Sequence, residues 1–93
     1  MAILKCIAVD DEPLALKLVE TFINQTPFLE LADSCDNAVE AMTLIKEKQP
    51  DLVFLDINMP NLTGMELARL LHEQPGPVPK IFFTTAYNHY AIE

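Results

Sequence analysis

Leu52-Val53-Phe54-Leu55-Asp56-Ile57-Asn58-Met59-Pro60 runs from an unbroken apolar stretch through a carboxylate to a residue that ends regular pairing. An apolar run this short, with a β-branched and an aromatic side chain, suits a strand of a parallel sheet covered by helices on both faces. Asp56 then stands at the carboxyl end of that strand, where open parallel sheets hold their ligands. This assignment requires matching strands and helices on either side.

Upstream, Ile7-Ala8-Val9 is a second apolar run, and it ends in Asp10-Asp11. Downstream, Ile81-Phe82-Phe83 is a third, and it ends in Thr84-Thr85. Leu29-Glu30-Leu31-Ala32-Asp33 mixes polar with apolar residues, which places it at a sheet edge with one wetter side. Helical periods separate these runs. After Pro13, a residue favoured in an opening turn, Leu14, Leu18 and Phe22 recur with Ala15, Val19 and Ile23 beside them as the apolar stripe of a first helix. Asn37 with Glu40 is a capping pattern, followed by Ala38, Met42 and Ile45 on one face. Thr63 and Glu66 repeat it ahead of Leu67, Ala68 and Leu71, and a further helix could start at Asn88.

Pro27, Pro50, Pro60, Pro75, Pro77 and Pro79 all fall between these elements, where a missing N–H does least harm. The order βαβαβαβ, then an unfinished helix, predicts a doubly wound α/β domain with an open parallel sheet and right-handed crossovers.

At 93 residues the chain is one domain or part of one. Its 51% apolar and 22% charged content is that of an ordinary folded domain. Fourteen acidic against six basic residues leave a charge of −8, which repels a nucleic-acid backbone, so direct nucleic-acid binding by this segment is not expected. Cys6 and Cys35 are too far apart for a CxxC motif and read as small buried hydrophobes in a reducing cytosol. Residues 1–9 are interrupted by Lys5 and lack the apolar core of a signal peptide, and no stretch approaches a membrane span. A soluble cytoplasmic location is expected.

Asp10, Asp11 and Asp56 thus converge at one end of the predicted sheet. Two carboxylates about 4 Å apart repel by roughly 4 kcal/mol at an effective dielectric near 20, so three ionised ones need a counter-ion or must protonate. Mg²⁺ suits a few carboxylates plus several waters better than Ca²⁺, which wants six to eight oxygens. An EF-hand beginning at Asp56 fails because Pro60 and Asn61 stand where a ligand and the obligatory glycine belong. A single aspartate after a strand is commonly a turn former or helix cap, but capping does not call for three at one strand end.

At these residues the sequence resembles the receiver domains of two-component response regulators. The resemblance rests on Val9-Asp10-Asp11-Glu12-Pro13, on Leu55-Asp56-Ile57-Asn58-Met59-Pro60 with Gly64, and on Thr85-Ala86, in order along the chain. It implies a flavodoxin-like (CheY-like) fold over residues 1–93. It also implies phosphorylation of Asp56 by a sensor histidine kinase, and a Mg²⁺ bound by Asp11 and Asp56, by Asp10 through water, and by the Asn58 carbonyl. Thr85 matches the hydroxyl residue that hydrogen-bonds the phosphoryl group. Val9 to Ala15, with Phe83 to Tyr87 and Tyr90-Ala91, looks most like receivers joined to LytTR-type DNA-binding domains, which implies a transcription regulator.

The family pattern continues into a fifth strand, ending in a lysine that pairs with the phosphoryl group, and a fifth helix; the expectation is a chain that lacks both. Lys80 cannot substitute, since it begins its strand and Thr85 lies roughly 16 Å away at about 3.3 Å per residue; Lys5 is at the wrong end for the same reason. The fourth strand is then expected to be an apolar edge that invites self-association or swapping. Two further functions compete with the switch. A haloacid-dehalogenase-like phosphatase also uses a strand-end Asp and Mg²⁺, but usually has Asp where this chain has Asn58, and leaves Asp10-Asp11 unexplained. An inert pseudo-receiver would serve contacts only. Weaker signals come to little: His72-Glu73 lacks the second histidine of HExxH, with Gly76 in its place, and His89 with Tyr87 and Tyr90 reads as a helix face. No phosphate-binding glycine loop is present.

Overall fold

The computed structural model describes residues 2–57, 59, 64–76 and 78–84. Along it run β1 (Leu4–Val9), α1 (Pro13–Asn24), β2 (Leu29–Cys35), α2 (Ala38–Lys48), β3 (Leu52–Asp56), α3 (Gly64–Glu73) and β4 (Lys80–Thr84). The strands pair in parallel in the order β2-β1-β3-β4. The alternating α/β reading of the sequence is therefore the fold, with β2 at an edge as its polar residues required. Asn58, Thr63, Thr85 and the helix expected from Asn88 lie outside the described residues.

Strand alternation sorts the apolar side chains into two layers. Ile7, Val9, Val53 and Leu55 point to one side and pack with Ala38, Ala41 and Ile45 of α2 and Leu67 and Leu71 of α3. Cys6, Ala8 and Phe54 point to the other and pack against Ile23 of α1. The two cysteines are free, buried and on opposite sides of the sheet, Cys6 in the α1 layer and Cys35 in the α2–α3 layer. Burial pushes the Cys35 thiol up to about 11, and Cys6 is raised for the same reason. Both are apolar filling, as expected.

Local chemistry sets the helix ends. Pro13 occupies the first turn of α1. Asn37 caps α2, its Oδ1 accepting the Glu40 N–H at 2.7 Å. At the far end of α2, Gln49 takes the left-handed conformation at φ 49° that commonly closes a helix.

The apolar stripe of α1 is placed differently from the sequence reading. Ile23 is fully buried, and Leu16 and Val19 pack against the α1 layer. Leu14, Leu18 and Phe22 are exposed, by 75%, 72% and 54%. The cause is geometric: α1 lies mainly over β2 and β1, and on the flank turned toward β3 the ring of Phe22 meets Phe54 edge-on at 6.0 Å while remaining half exposed. An apolar groove of about 410 Å³ follows that flank, lined by Leu18, Phe22, Phe28, Phe54 and Phe82 among others.

At the amino ends of the strands, the Asp51 carboxylate accepts the Lys5 N–H at 2.8 Å, and the Lys5 ammonium reaches the Lys48 carbonyl at 2.8 Å. Among the described residues no helix is long and apolar enough to cross a membrane.

Candidate functional site

Register brings the carboxylates together. Val9 on β1 is the partner of Leu55 on β3, so the next residues, Asp10 and Asp56, leave adjacent parallel strands side by side. Strands lie about 4.8 Å apart, and the two residues share the same alternation, so their carboxylates meet. Asp11, one step further, joins from the first bend of the loop. One oxygen from each of Asp10, Asp11 and Asp56 falls within 4.8 Å of the other two.

Burial makes this arrangement costly. Asp10 and Asp56 are each only 2% exposed, whereas Asp11 is open to solvent. Loss of water raises the Asp10 pKa above its ordinary value; the Glu12 N–H opposes the rise, the charge of Asp11 adds to it, and a hydrogen bond with Asp56 offsets part of it. The Glu12 N–H donates to Asp10 Oδ1 at 2.9 Å and fixes that carboxylate. Main-chain bonds hold the frame: the Asp10 N–H reaches the Cys35 carbonyl at 3.2 Å, and the Ile57 N–H reaches the Thr84 carbonyl at 3.2 Å. Two nearly dry carboxylates and one wet one form a site that a hard cation entering from the Asp11 side would relieve.

The three sequence-predicted aspartates thus stand at one point, while Asn58 and Thr85 fall outside the described residues. Thr84, at the end of β4, pairs with Asp56 across β3 and β4. Lys5 and Lys80 lie at the opposite ends of their strands, as the sequence reading required. Sequence reasoning missed two contributors. Glu12 acts through its main-chain N–H, which leaves no mark in residue type. Met59, 5% exposed, is buried in the α2–α3 layer; an apolar residue between Asn58 and Pro60 was the available signal.

Residues 6–93 match the response regulator receiver domain family. The chain belongs to that family. A receiver is a phosphoacceptor switch rather than a catalytic enzyme, and Asp10, Asp11 and Asp56 form the acidic site typical of it. The receiver is 45% identical over 89 residues to an uncharacterized response regulatory protein of Yersinia pestis, covering 96% of this chain and 37% of the relative. It is 39% identical over 90 residues to the transcriptional regulatory protein BtsR of Escherichia coli K12, covering 97% and 37%. The chain therefore spans little more than a third of the curated relatives it matches. Among solved structures, the receiver domain of NarL from Mycobacterium tuberculosis superposes with a TM-score of 0.83 at 24% identity, covering 99% of this chain and 73% of that one. The response regulatory domain of mrkE from Klebsiella pneumoniae does so at 0.78 and 33% identity, covering 95% and 71%.

Proposed function

We propose that this receiver accepts a phosphoryl group on Asp56 from a sensor histidine kinase, with Mg²⁺ held by Asp11, Asp56 and, through water, Asp10, and that the resulting change controls transcription through an output domain of the LytTR type. The observation that carries this reading is the meeting of the three aspartate oxygens at the carboxyl end of the sheet. The residues fit the ion. One oxygen from each of the three aspartates lies within 4.8 Å of the other two, a cluster of hard oxygens of the kind Mg²⁺ takes together with waters. A bound Mg²⁺ supplies positive charge to the transferring phosphoryl oxygens.

The chain's own groups supply the rest. Asp56 as a carboxylate needs no base: one of its oxygens bonds to phosphorus while the bond from phosphorus to the donor's leaving group breaks. The Glu12 N–H keeps Asp10 turned into the site and so keeps negative charge beside the position of the metal. In this reading the Asn58 carbonyl completes the protein's ligands. Thr85 hydrogen-bonds the new phosphoryl oxygens and draws its loop inward, the kind of ordering that added charge and acceptor oxygens produce. The output assignment draws on the similarity to BtsR, named a transcriptional regulatory protein, and on the Phe83-Thr84-Thr85-Ala86-Tyr87 resemblance.

The test is incubation with acetyl phosphate at increasing Mg²⁺, with intact mass as readout. One added phosphoryl group, dependent on the metal and lost in Asp56→Ala, is expected. Labelling that persists in Asp56→Ala, or that ignores chelation of the metal, would refute the assignment.

A further inference from the structure

β2 changes the parity of its side chains part-way along. In a regular strand, residues three apart point to opposite faces, yet Ala32 and Cys35 both pack in the α2–α3 layer, while Leu31 packs in the α1 layer. The cause is a bulge: Cys6 is the partner of Leu31 but Ile7 is the partner of Asp33, so Ala32 is an extra residue on β2. The slip sets Ser34 beside Ala8 and under α1, and Cys35 beside Val9. Two hydrogen bonds of Ser34 fit this register: Asp33 Oδ1 accepts its N–H at 2.8 Å, and its hydroxyl donates to Glu20 Oε2 of α1 at 2.7 Å. Leu16, Val19 and Ile23 pack α1 on the same side through apolar contacts, which have no preferred direction, whereas the Glu20–Ser34 bond does. Without the slip Val9 would pair with Ser34, the serine would turn to the other face, and that bond would be lost.

The acidic site hangs from the same two elements. The Asp10 N–H donates to the Cys35 carbonyl, which the slip has brought opposite it, and Asp10 Oδ1 takes the N–H of Glu12, one residue before α1 begins at Pro13. Residues 10–12 are therefore held by β2 at one end and by α1 at the other. Glu20, about two turns into α1, joins those two supports to each other. We propose that Glu20 and Ser34 are positioning residues for the acidic site: their hydrogen bond locks the slipped register of β2 and the setting of α1 over it, and so keeps Asp10 and Asp11 in the arrangement that receives Mg²⁺. The inference rests on the reading of Asp10, Asp11 and Asp56 as a Mg²⁺ site.

Amide hydrogen exchange on the metal-free chain and Mg²⁺ titration by calorimetry are the test. Ser34→Ala and Glu20→Ala should each speed exchange of the Asp10 and Glu12 amides about five- to tenfold relative to those of Ala8 and Val53 in the central strands, the effect of losing one hydrogen bond locally. Each should weaken Mg²⁺ about three- to tenfold, less than loss of a ligand's direct partner. Glu20→Gln keeps an acceptor oxygen for the serine and should stay within about twofold of wild type in both measurements. Because Ser34→Ala could fail to fold, Glu20→Ala, a substitution that a helix favours, carries the test alone if needed. Faster exchange spread evenly over the strands, or a Glu20→Gln chain that behaves as Glu20→Ala does, overturns the proposal. A wild type that binds no Mg²⁺ overturns the metal reading and this inference with it, whereas a wild type that binds Mg²⁺ no more tightly than the alanine variants overturns this inference alone.

Discussion

β3 has an aspartate at each end, and the two do opposite things. Asp51, just before the strand, is exposed and fully engaged with main chain: its carboxylate takes the Lys5 N–H, its own N–H donates to the Lys5 carbonyl, and its carbonyl accepts the Lys80 N–H. Asp56, five residues on, is buried beside two more carboxylates. The first is a staple joining β1, β3 and β4 in water, where its charge is already solvated. The second holds charge in a place that penalises it, and such a placement persists where a ligand repays it. Position on the strand, rather than residue type, separates structure from function here.

The comparison breaks most sharply at the phosphoryl group. Asp56→Asn is expected to abolish acyl-phosphate formation from acetyl phosphate, while Asp51→Asn leaves its rate within about twofold, since a staple at the far end touches no reacting atom. Intact mass spectrometry of both variants checks this, and comparable losses would erase the distinction between the two ends. Metal binding gives the next largest effect. Asp11→Asn removes a charged ligand and should weaken Mg²⁺ by at least about tenfold, given that even outer partners of ligands cost 10- to 100-fold; titration followed by thermal shift measures it.

A smaller effect concerns the cost of the buried charge. Burial raises Asp10's pKa on folding, so at pH values between its ordinary 3.8 and the raised value the folded chain holds more protons than the unfolded one. Stability without metal therefore falls as pH rises through that window, the reverse of a salt-bridged carboxylate. Asp10→Asn keeps an acceptor for the Glu12 N–H and removes the charge. Urea denaturation should find it more stable than wild type by about 1–2 kcal/mol at neutral pH, with no gain from added Mg²⁺. A loss of stability in the metal-free variant would mean that Asp10 is a staple after all.

Much of this division was legible in the sequence, because strand ends are marked by the change from apolar to acidic residues, and parallel register follows from strand order. That placed Asp10, Asp11 and Asp56 together before any coordinates. Other features were not legible for physical reasons. Periodicity gives the apolar stripe of a helix but not the surface available to cover it: Leu14, Leu18 and Phe22 belong to the same stripe as Ile23 yet stay exposed, because α1 packs mainly over β1 and β2. The Glu12 N–H and the Asp51 staple act through main-chain geometry, which residue identity does not encode.

The Asp51 staple supplies the smallest expected effect and the finest test of the contrast. Asp51→Ala removes the acceptor of the Lys5 N–H but leaves the carbonyl and N–H of residue 51 in place, so two of its three main-chain bonds survive. The freed Lys5 N–H is near solvent, and water can replace the lost carboxylate, which limits the cost to about 1 kcal/mol. That loss should appear equally with and without Mg²⁺ in urea denaturation, since the two aspartates stand at opposite ends of β3 and effects at separated sites add. Additivity with Asp10→Asn in a double-mutant cycle would establish that the strand carries its structural and its functional aspartate independently. A coupling beyond about 0.5 kcal/mol would show that the staple sets the register on which the acidic site depends.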